Sequence, residues 1–402
     1  MKPDMPVRAH RGDLVLALTI FGLVAFGLIM MYNINPVLSQ RISGGSFNYF
    51  QNQFINAGIG VVAFLAAASF YYARWRKFAL PLLIVALVSV AALAIPALQL
   101  HVNGATRWLR LGPLSFQPAE LLKLALIIYL AAWFEKRTRK EITSFWDGLV
   151  PFGVMIGVAS IIIVVFQRDM GTMMVLALAA MGMFYVAGLQ LRYLALLLAS
   201  SAVLGWLAII STQHRMSRFL TFLNPMSDCN GNGYHICQAL IGIGSGGLIG
   251  TGLGKSIQIY GYLPEAPNDS IFAVIGEEFG LIGALILVAL FGVLVYRGLE
   301  IARRAPTTFA QLIATGITLL FLFQAFINIA AMLSLLPLTG IPLPFVSYGG
   351  SSLIIMMFGA GILFNISKYT VKEAANADSR QRRGDRRPRL AGPSDRRRVA
   401  GA

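Results

Sequence analysis

Glu120 and Lys123 stand three residues apart in PAELLKLALIIYL, a stretch that is otherwise almost wholly apolar. At helical spacing they share one face. A carboxylate and an ammonium placed there either lock helices together as a buried ion pair or handle a charged substrate, and the two roles are compatible. Asp269 closes the string LPEAPND just before another apolar stretch. A carboxylate at the lip of an apolar run is expensive and therefore a candidate for chemistry. The plainer reading makes Asp269, and likewise Asp169, an N-cap, a favoured use of aspartate where a helix begins. Arg110 and Arg218 are further candidate cations, in the segments that precede Glu120 and Asp269. Glu265 lies in the aspartate's own string. Ser347, Gly349 and Ser351 punctuate LTGIPLPFVSYGGSS with hydroxyls and glycine N–H groups, donors suited to phosphate oxygens.

The elements that must position these groups belong to a membrane protein. The chain is 57% hydrophobic and only 12% charged, against about 25% charge in soluble domains. Apolar runs of bilayer-crossing length recur near 14–34, 54–72, 78–99, 118–134, 148–166, 170–187, 192–211, 270–296, 308–335 and 350–368. The expected fold is all-α, a polytopic bundle of about ten transmembrane helices. Backbone groups in lipid must be satisfied within their own segment, and the short alternating strands of a barrel are not apparent. The first run is too long for a signal peptide and lacks a small-residue cleavage site, so it is expected to be retained.

With the N-terminus inside, most of the 33 Lys and Arg fall in cytoplasmic segments, as the positive-inside rule demands. The net charge of +16 is therefore chiefly a topology signal, with anionic-lipid contact by the tail. Nucleic acid is not an expected partner, because the arginines of the tail are not interleaved with aromatics. Residues 1–12 form a cytoplasmic N-terminus, 13–370 one membrane domain, and 371–402 a basic cytoplasmic tail expected to be disordered. Glu120, Lys123, Asp169, Asp269 and the 338–352 segment then lie at one outer level.

The longest connection, 212–269, falls outside between the seventh and eighth helices. Its middle, Gly242 to Gly254, is too short and glycine-rich for a span and suits a re-entrant or surface-lying segment. Both cysteines of the chain, Cys229 and Cys237, lie in this loop, where they form either a disulfide or two free thiols. Gly242-x-Gly244-x-x-Gly247 matches a dinucleotide fingerprint in letters only, since no strand leads into it. No Walker lysine, HExxH or CxxC motif occurs, and His101, His214 and His235 are scattered. An outward site has no ATP, so bond formation there needs an already activated substrate. A lipid carrying a diphosphate leaving group meets that need.

Five segments carry a family resemblance: NGATRWLRLGPLSFQPAELLKLAL (103–126), RFLTFLNP (218–225), GYHICQALIGIGSGGLIGTGLG (233–254), LPEAPNDSIFAVIGEEFGLIG (263–283) and LPLTGIPLPFVSYGGSSLI (336–354). On these the chain resembles the SEDS proteins, the peptidoglycan polymerases of cell division and elongation (FtsW, RodA and SpoVE type). Gly276–Glu278 and Leu263–Ala266 resemble the division branch more than the elongation branch. The resemblance implies a glycosyltransferase that polymerises lipid II, an undecaprenyl-diphosphate-linked disaccharide-peptide, in the bacterial inner membrane. It also implies a class B penicillin-binding protein as partner, with other divisome membrane proteins. The family's essential loop aspartate falls on Asp269, and its paired acid and lysine on Glu120 and Lys123. The chain departs from the family at Pro267-Asn268-Asp269-Ser270, where members usually read His-Thr-Asp-Phe, and at Arg168 and Gln258-Ile259.

With Asp269 as base, a carboxylate in its ordinary pKa range would serve, because a sugar hydroxyl becomes acidic only as its new bond forms. Lys123, Arg110 and Arg218 are the candidate contacts for the departing diphosphate, and Glu120 would orient Lys123. No cofactor is certain, and a magnesium or manganese ion remains an open alternative for part of the diphosphate's charge. Two other functions stay open: a transporter that flips lipid II, and a non-catalytic divisome scaffold that recruits a transpeptidase.

Overall fold

A computed structural model describes residues 10–42, 48–102, 105–111, 114–167 and 169–370. The tail for which disorder is expected lies outside the described residues, as does most of the N-terminal segment. The helices are α1 (Leu14–Ile42), α2 (Asn48–Ser69), α3 (Trp75–Ala91), α4 (Pro118–Glu135), α5 (Arg139–Thr143), α6 (Val150–Ile161), α7 (Met170–Ala187), α8 (Leu191–Ile210), α9 (Gln213–Leu223), α10 (Tyr234–Ser245), α11 (Ile271–Arg303), α12 (Thr308–Met332) and α13 (Gly350–Ser367). Eight are long and apolar enough to cross a membrane, α6 together with its flanking turns. α4 has the length but carries Glu120, Lys123 and Glu135, and α8 is a twenty-residue apolar helix. These two fill the fourth and seventh places of the ten-helix reading.

α4 tolerates its charges because it is an inner helix. Fourteen of its eighteen residues are buried, so neighbouring helices and not lipid surround Glu120 and Lys123. α12 is the other inner rod, buried along nearly its whole length against α11, α7 and α4. α2 and α13 form the most extensive helix pair, and small residues allow it. A Cβ on Gly361 would stand 2.4 Å from the Phe64 carbonyl oxygen, so only glycine lets these backbones approach. α8, by contrast, buries none of its described residues and exposes most of them.

One expectation needs correction. The chain does hold strands: β1 (Gln99–Val102), β2 (Ala105–Leu111) and β3 (Leu114–Phe116) form an antiparallel sheet in the order β1-β2-β3. They occupy the connection before α4, so the third helix ends at Ala91, short of the expected 99. Three strands of this size are too short to cross a membrane, and hydropathy alone does not separate so short a strand from a helix end.

α11 is not one continuous rod. Gly280 sits at φ 64°, ψ −164°, a conformation essentially reserved for glycine. The break frees backbone groups that the Gly-rich segment then satisfies. Thr251 and Gly252 N–H donate to the Glu277 and Glu278 carbonyls, while Leu281 and Ile282 N–H donate to Gly247 and Leu248. The Glu277 carboxylate accepts from the Ser256 hydroxyl and the Ile257 N–H, and Glu278 accepts from Asn33 on α1 and the Gly254 N–H. Non-helical backbone in a membrane protein survives only with such cover. The 242–254 segment is thus bound along the first half of α11.

Candidate active site

Asp269 lies at the start of α11 with 9% of its surface exposed. Three elements hold it. Its own loop curls so that Asn268 and Ser270 N–H both donate to the Glu265 carbonyl, with Glu265 at φ 51°. From α12, the Asn328 amide donates 2.7 Å bonds to both the Asp269 and Ile341 carbonyls, tying this loop to the 333–349 connection. Within that connection Tyr348 N–H donates to the Pro267 carbonyl at 2.8 Å. Phe345, at φ 65°, buries its ring edge-on against Phe321. Positive φ at non-glycine residues costs of order 1–3 kcal/mol each, and two such residues bracket this aspartate.

Burial, and then the nearby Glu265 carboxylate, push the Asp269 carboxyl up to about 7, against smaller opposing effects of its hydrogen bonds and of Arg218. The ordinary carboxylate range expected from sequence is therefore wrong for this residue: the loop withdraws it from water. Arg218 of α9 faces it, its own pKa lowered by desolvation and by the neighbouring Arg107. Arg107 was not singled out in the sequence. Strand alternation puts Arg107 and buried Leu109 on one face of β2 and the exposed Arg110 on the other. The Arg107 guanidinium also donates to the Gln167 carbonyl at 3.1 Å. Hence Arg218 is the cation beside Asp269, with Arg107 next to Arg218, while Arg110 lies on the opposite face of β2.

Glu120 and Lys123 meet as a 2.9 Å ion pair, both about 1% exposed. The Lys123 ammonium also donates to Gln324 Oε1 at 2.8 Å, and the Gln324 amide donates to the Pro342 carbonyl. The pair therefore reaches the aspartate indirectly: Gln324 and Asn328, four apart on α12, hold the consecutive carbonyls of Pro342 and Ile341. That i,i+4 amide pair in an apolar helix was a readable signal of the same kind as Glu120 and Lys123.

The remaining candidates have internal bonds. The Ser347 hydroxyl accepts from Leu343 N–H, Gly349 N–H donates to Gln53, and the Ser351 hydroxyl accepts from Gln117 N–H. They brace the 343–351 turn against α2 and the start of α4. Glu265 is exposed and binds the Asn268 amide. Asp169 caps α7, accepting from the N–H and hydroxyl of Thr172, which is the plainer of its two readings. Asp269 makes no such capping bond to α11. Cys229 and Cys237 are bonded to each other, joining the turn after α9 to the first turn of α10. Among the described residues no group of three His, Cys, Asp or Glu side chains is placed to hold a metal ion.

A family model described as cell cycle protein, covering FtsW, RodA and SpoVE, matches residues 14–372. The chain belongs to this family. Stage V sporulation protein E of Bacillus subtilis is 37% identical, over 91% of this chain and 100% of that protein. A protein named probable peptidoglycan glycosyltransferase FtsW from Geobacter sulfurreducens is 37% identical, over 89% of this chain and 95% of its own. Among solved structures, the rod shape determining protein RodA of Thermus thermophilus superposes with TM-score 0.64 at 25% identity, covering 90% of this chain and 98% of that one. A chain from a structure titled for the coordination of polymerization and crosslinking by a peptidoglycan synthase complex reaches TM-score 0.73 at 26% identity, covering 89% of this chain and 97% of that one. The FtsW/RodA/SpoVE family thus accounts for nearly the whole described fold.

Proposed function

We propose that this chain is a peptidoglycan glycosyltransferase that links lipid II disaccharides into glycan strands, with Asp269 as general base. One observation carries the reading. A carboxyl held by three separate elements and kept largely from water stands beside Arg218, which has Arg107 as its own neighbour. A base near neutrality next to clustered cations is the arrangement that glycosyl transfer from a diphosphate needs.

Asp269 takes the proton from the acceptor sugar's 4-hydroxyl as that oxygen attacks the anomeric carbon of the lipid-linked donor. The new carbon–oxygen bond forms as the bond to the diphosphate breaks, and the electron pair leaves with the lipid diphosphate. A single displacement inverts the centre, giving a β-linked polymer from an α-linked donor. Arg218 and Arg107 meet the diphosphate's developing charge. Lys123, buried against Glu120 and Gln324, acts at one remove by holding the Pro342 carbonyl and with it the loop over Asp269.

The site faces the outside of the bacterial inner membrane, with both termini cytoplasmic, and the polymer passes to a class B penicillin-binding protein for crosslinking. The likeness to FtsW-named relatives favours work in the divisome, alongside its other membrane proteins. A flipping transporter finds one supporting feature, the break in α11, since discontinuous helices are common in transporters. Here, however, the freed backbone groups are closed by the Gly-rich segment.

The test is polymerisation of lipid II by purified protein, alone and with a candidate transpeptidase, for wild type and Asp269→Asn. Long glycan from wild type only is the expected result. A robustly active Asn variant removes the base assignment. No polymer under any partner condition, with lipid II still crossing vesicle membranes, selects the transporter.

A further inference from the structure

Ser270 and His235 have no part in the chemistry assigned so far, yet both converge on the base. Ser270 is fully buried at the head of α11. Its hydroxyl oxygen lies 2.6 Å from His235 Nε2, 2.9 Å from the Pro264 carbonyl and 3.5 Å from Asp269 Oδ1. A hydroxyl has one proton to donate and two lone pairs to accept with, so it cannot donate to all three. The conflict disappears if His235 carries its proton on Nε2 and donates it to Ser270. The serine proton is then free to point at either the Pro264 carbonyl or the Asp269 carboxylate. Burial, and then the charge of Arg218, hold His235 down to about 4, so near neutral pH the imidazole has one N–H to give. The 229–237 disulfide anchors the first turn of α10, on which His235 stands.

We infer that His235 and Ser270 are positioning residues for Asp269, the imidazole orienting the serine hydroxyl so that its proton supports the ionised carboxylate. This rests on the reading of Asp269 as general base. No proton changes owner within the pair. While Asp269 is charged, the serine proton turns toward Oδ1; once Asp269 has taken the acceptor's proton, the serine proton returns to Pro264, its nearer acceptor. Other charges also face the carboxyl: Glu265 of its own loop raises its pKa, and Arg218 of α9 lowers it. Arg107 of β2 stands beside Arg218, which it perturbs. The α4 pair Glu120–Lys123 is neutralised internally, and Asp169 of α7 is spent on Thr172. From α12, Asn328 reaches Asp269 at its backbone carbonyl and not at its carboxylate. The serine is thus a side-chain proton donor to the carboxylate within its own turn.

Two readouts test the inference on full-length protein in detergent. The first is the rate of lipid II polymerisation from about pH 5.5 to 9, bracketing the range in which a base poised near neutrality titrates. The second is carbodiimide labelling of Asp269, mapped by mass spectrometry over the same range, which reports protonation without needing activity. Ser270→Ala and His235→Leu are expected to move both midpoints upward by about half a pH unit or more, the scale of losing one ordinary hydrogen bond, as suits a 3.5 Å contact. Ser270→Thr and His235→Gln, which keep the donors, stay near wild type. A lowered rate at every pH with both midpoints unmoved overturns the inference and leaves a structural contact. The base reading fails separately, if Asp269→Asn still polymerises. The labelling midpoint then still decides whether the pair controls the carboxyl.

Discussion

Replacing Lys123 alone by methionine should damage the protein more than replacing Lys123 and Glu120 together. The wild-type pair is a 2.9 Å contact between side chains that are about 1% exposed. Removing the ammonium strands a carboxylate inside the bundle, where breaking a buried pair costs about 3–5 kcal/mol. It also leaves Gln324 Oε1 without its donor, a further loss of about 1–3 kcal/mol. In Glu120→Leu/Lys123→Met the stranded charge is gone and only the Gln324 loss persists. Glu120 Oε2 has no hydrogen-bond partner among the described residues even in wild type, so the pair is incompletely satisfied and replacing both members should cost little beyond the Gln324 loss. The assay is the apparent melting temperature of the purified variants, followed by polymerisation by whichever remain folded. The double variant should melt above Lys123→Met and recover measurable polymer if the pair works by holding the Pro342 carbonyl region. Equal melting of single and double variants would refute the ionic coupling. A well-folded double variant with no polymer would instead place Lys123 on the substrate.

Other outcomes follow from the same geometry. Polymerisation should rise with pH through about 7, because Asp269 titrates there and only its ionised form accepts a proton. About a tenth of the base form is present one unit below that value and about nine tenths one unit above; a flat profile over this range argues against Asp269. Gly280→Ala should cost several kcal/mol, since a Cβ there stands 2.4 Å from the Gly250 nitrogen on top of a φ that alanine avoids; wild-type melting of that variant would show that the α11 break is dispensable. Arg107→Gln should lower the polymerisation rate by tenfold or more, about 1.4 kcal/mol of transition-state stabilisation, while Arg110→Gln, on the opposite face of β2, should change it little. Under reducing conditions the 229–237 bond opens; intact mass after alkylation counts the thiols, and full labelling of oxidised protein would contradict the pairing.

Composition, hydropathy and the Lys/Arg distribution determined the class of protein and the order of its helices, because lipid admits few ways to satisfy a backbone. The same signals marked Glu120, Lys123 and Asp269, since charge in an apolar run is expensive and hence conspicuous. They did not reveal β1–β3: in so short a connection, strand and helix end look alike in hydropathy. Nor did they reveal the α11 break, which needs glycine at position 280 and partners some thirty residues earlier in the chain. Arg107 became visible only once β2 existed, because strand alternation decides which arginine turns toward the helices. The elevated pKa of Asp269 is the clearest case. Desolvation depends on what other segments lay over a residue, and here the cover comes from α9, α12 and the 333–349 loop, none adjacent to it in sequence. Sequence named the carboxylate; only the packing of distant segments raised its pKa toward neutrality.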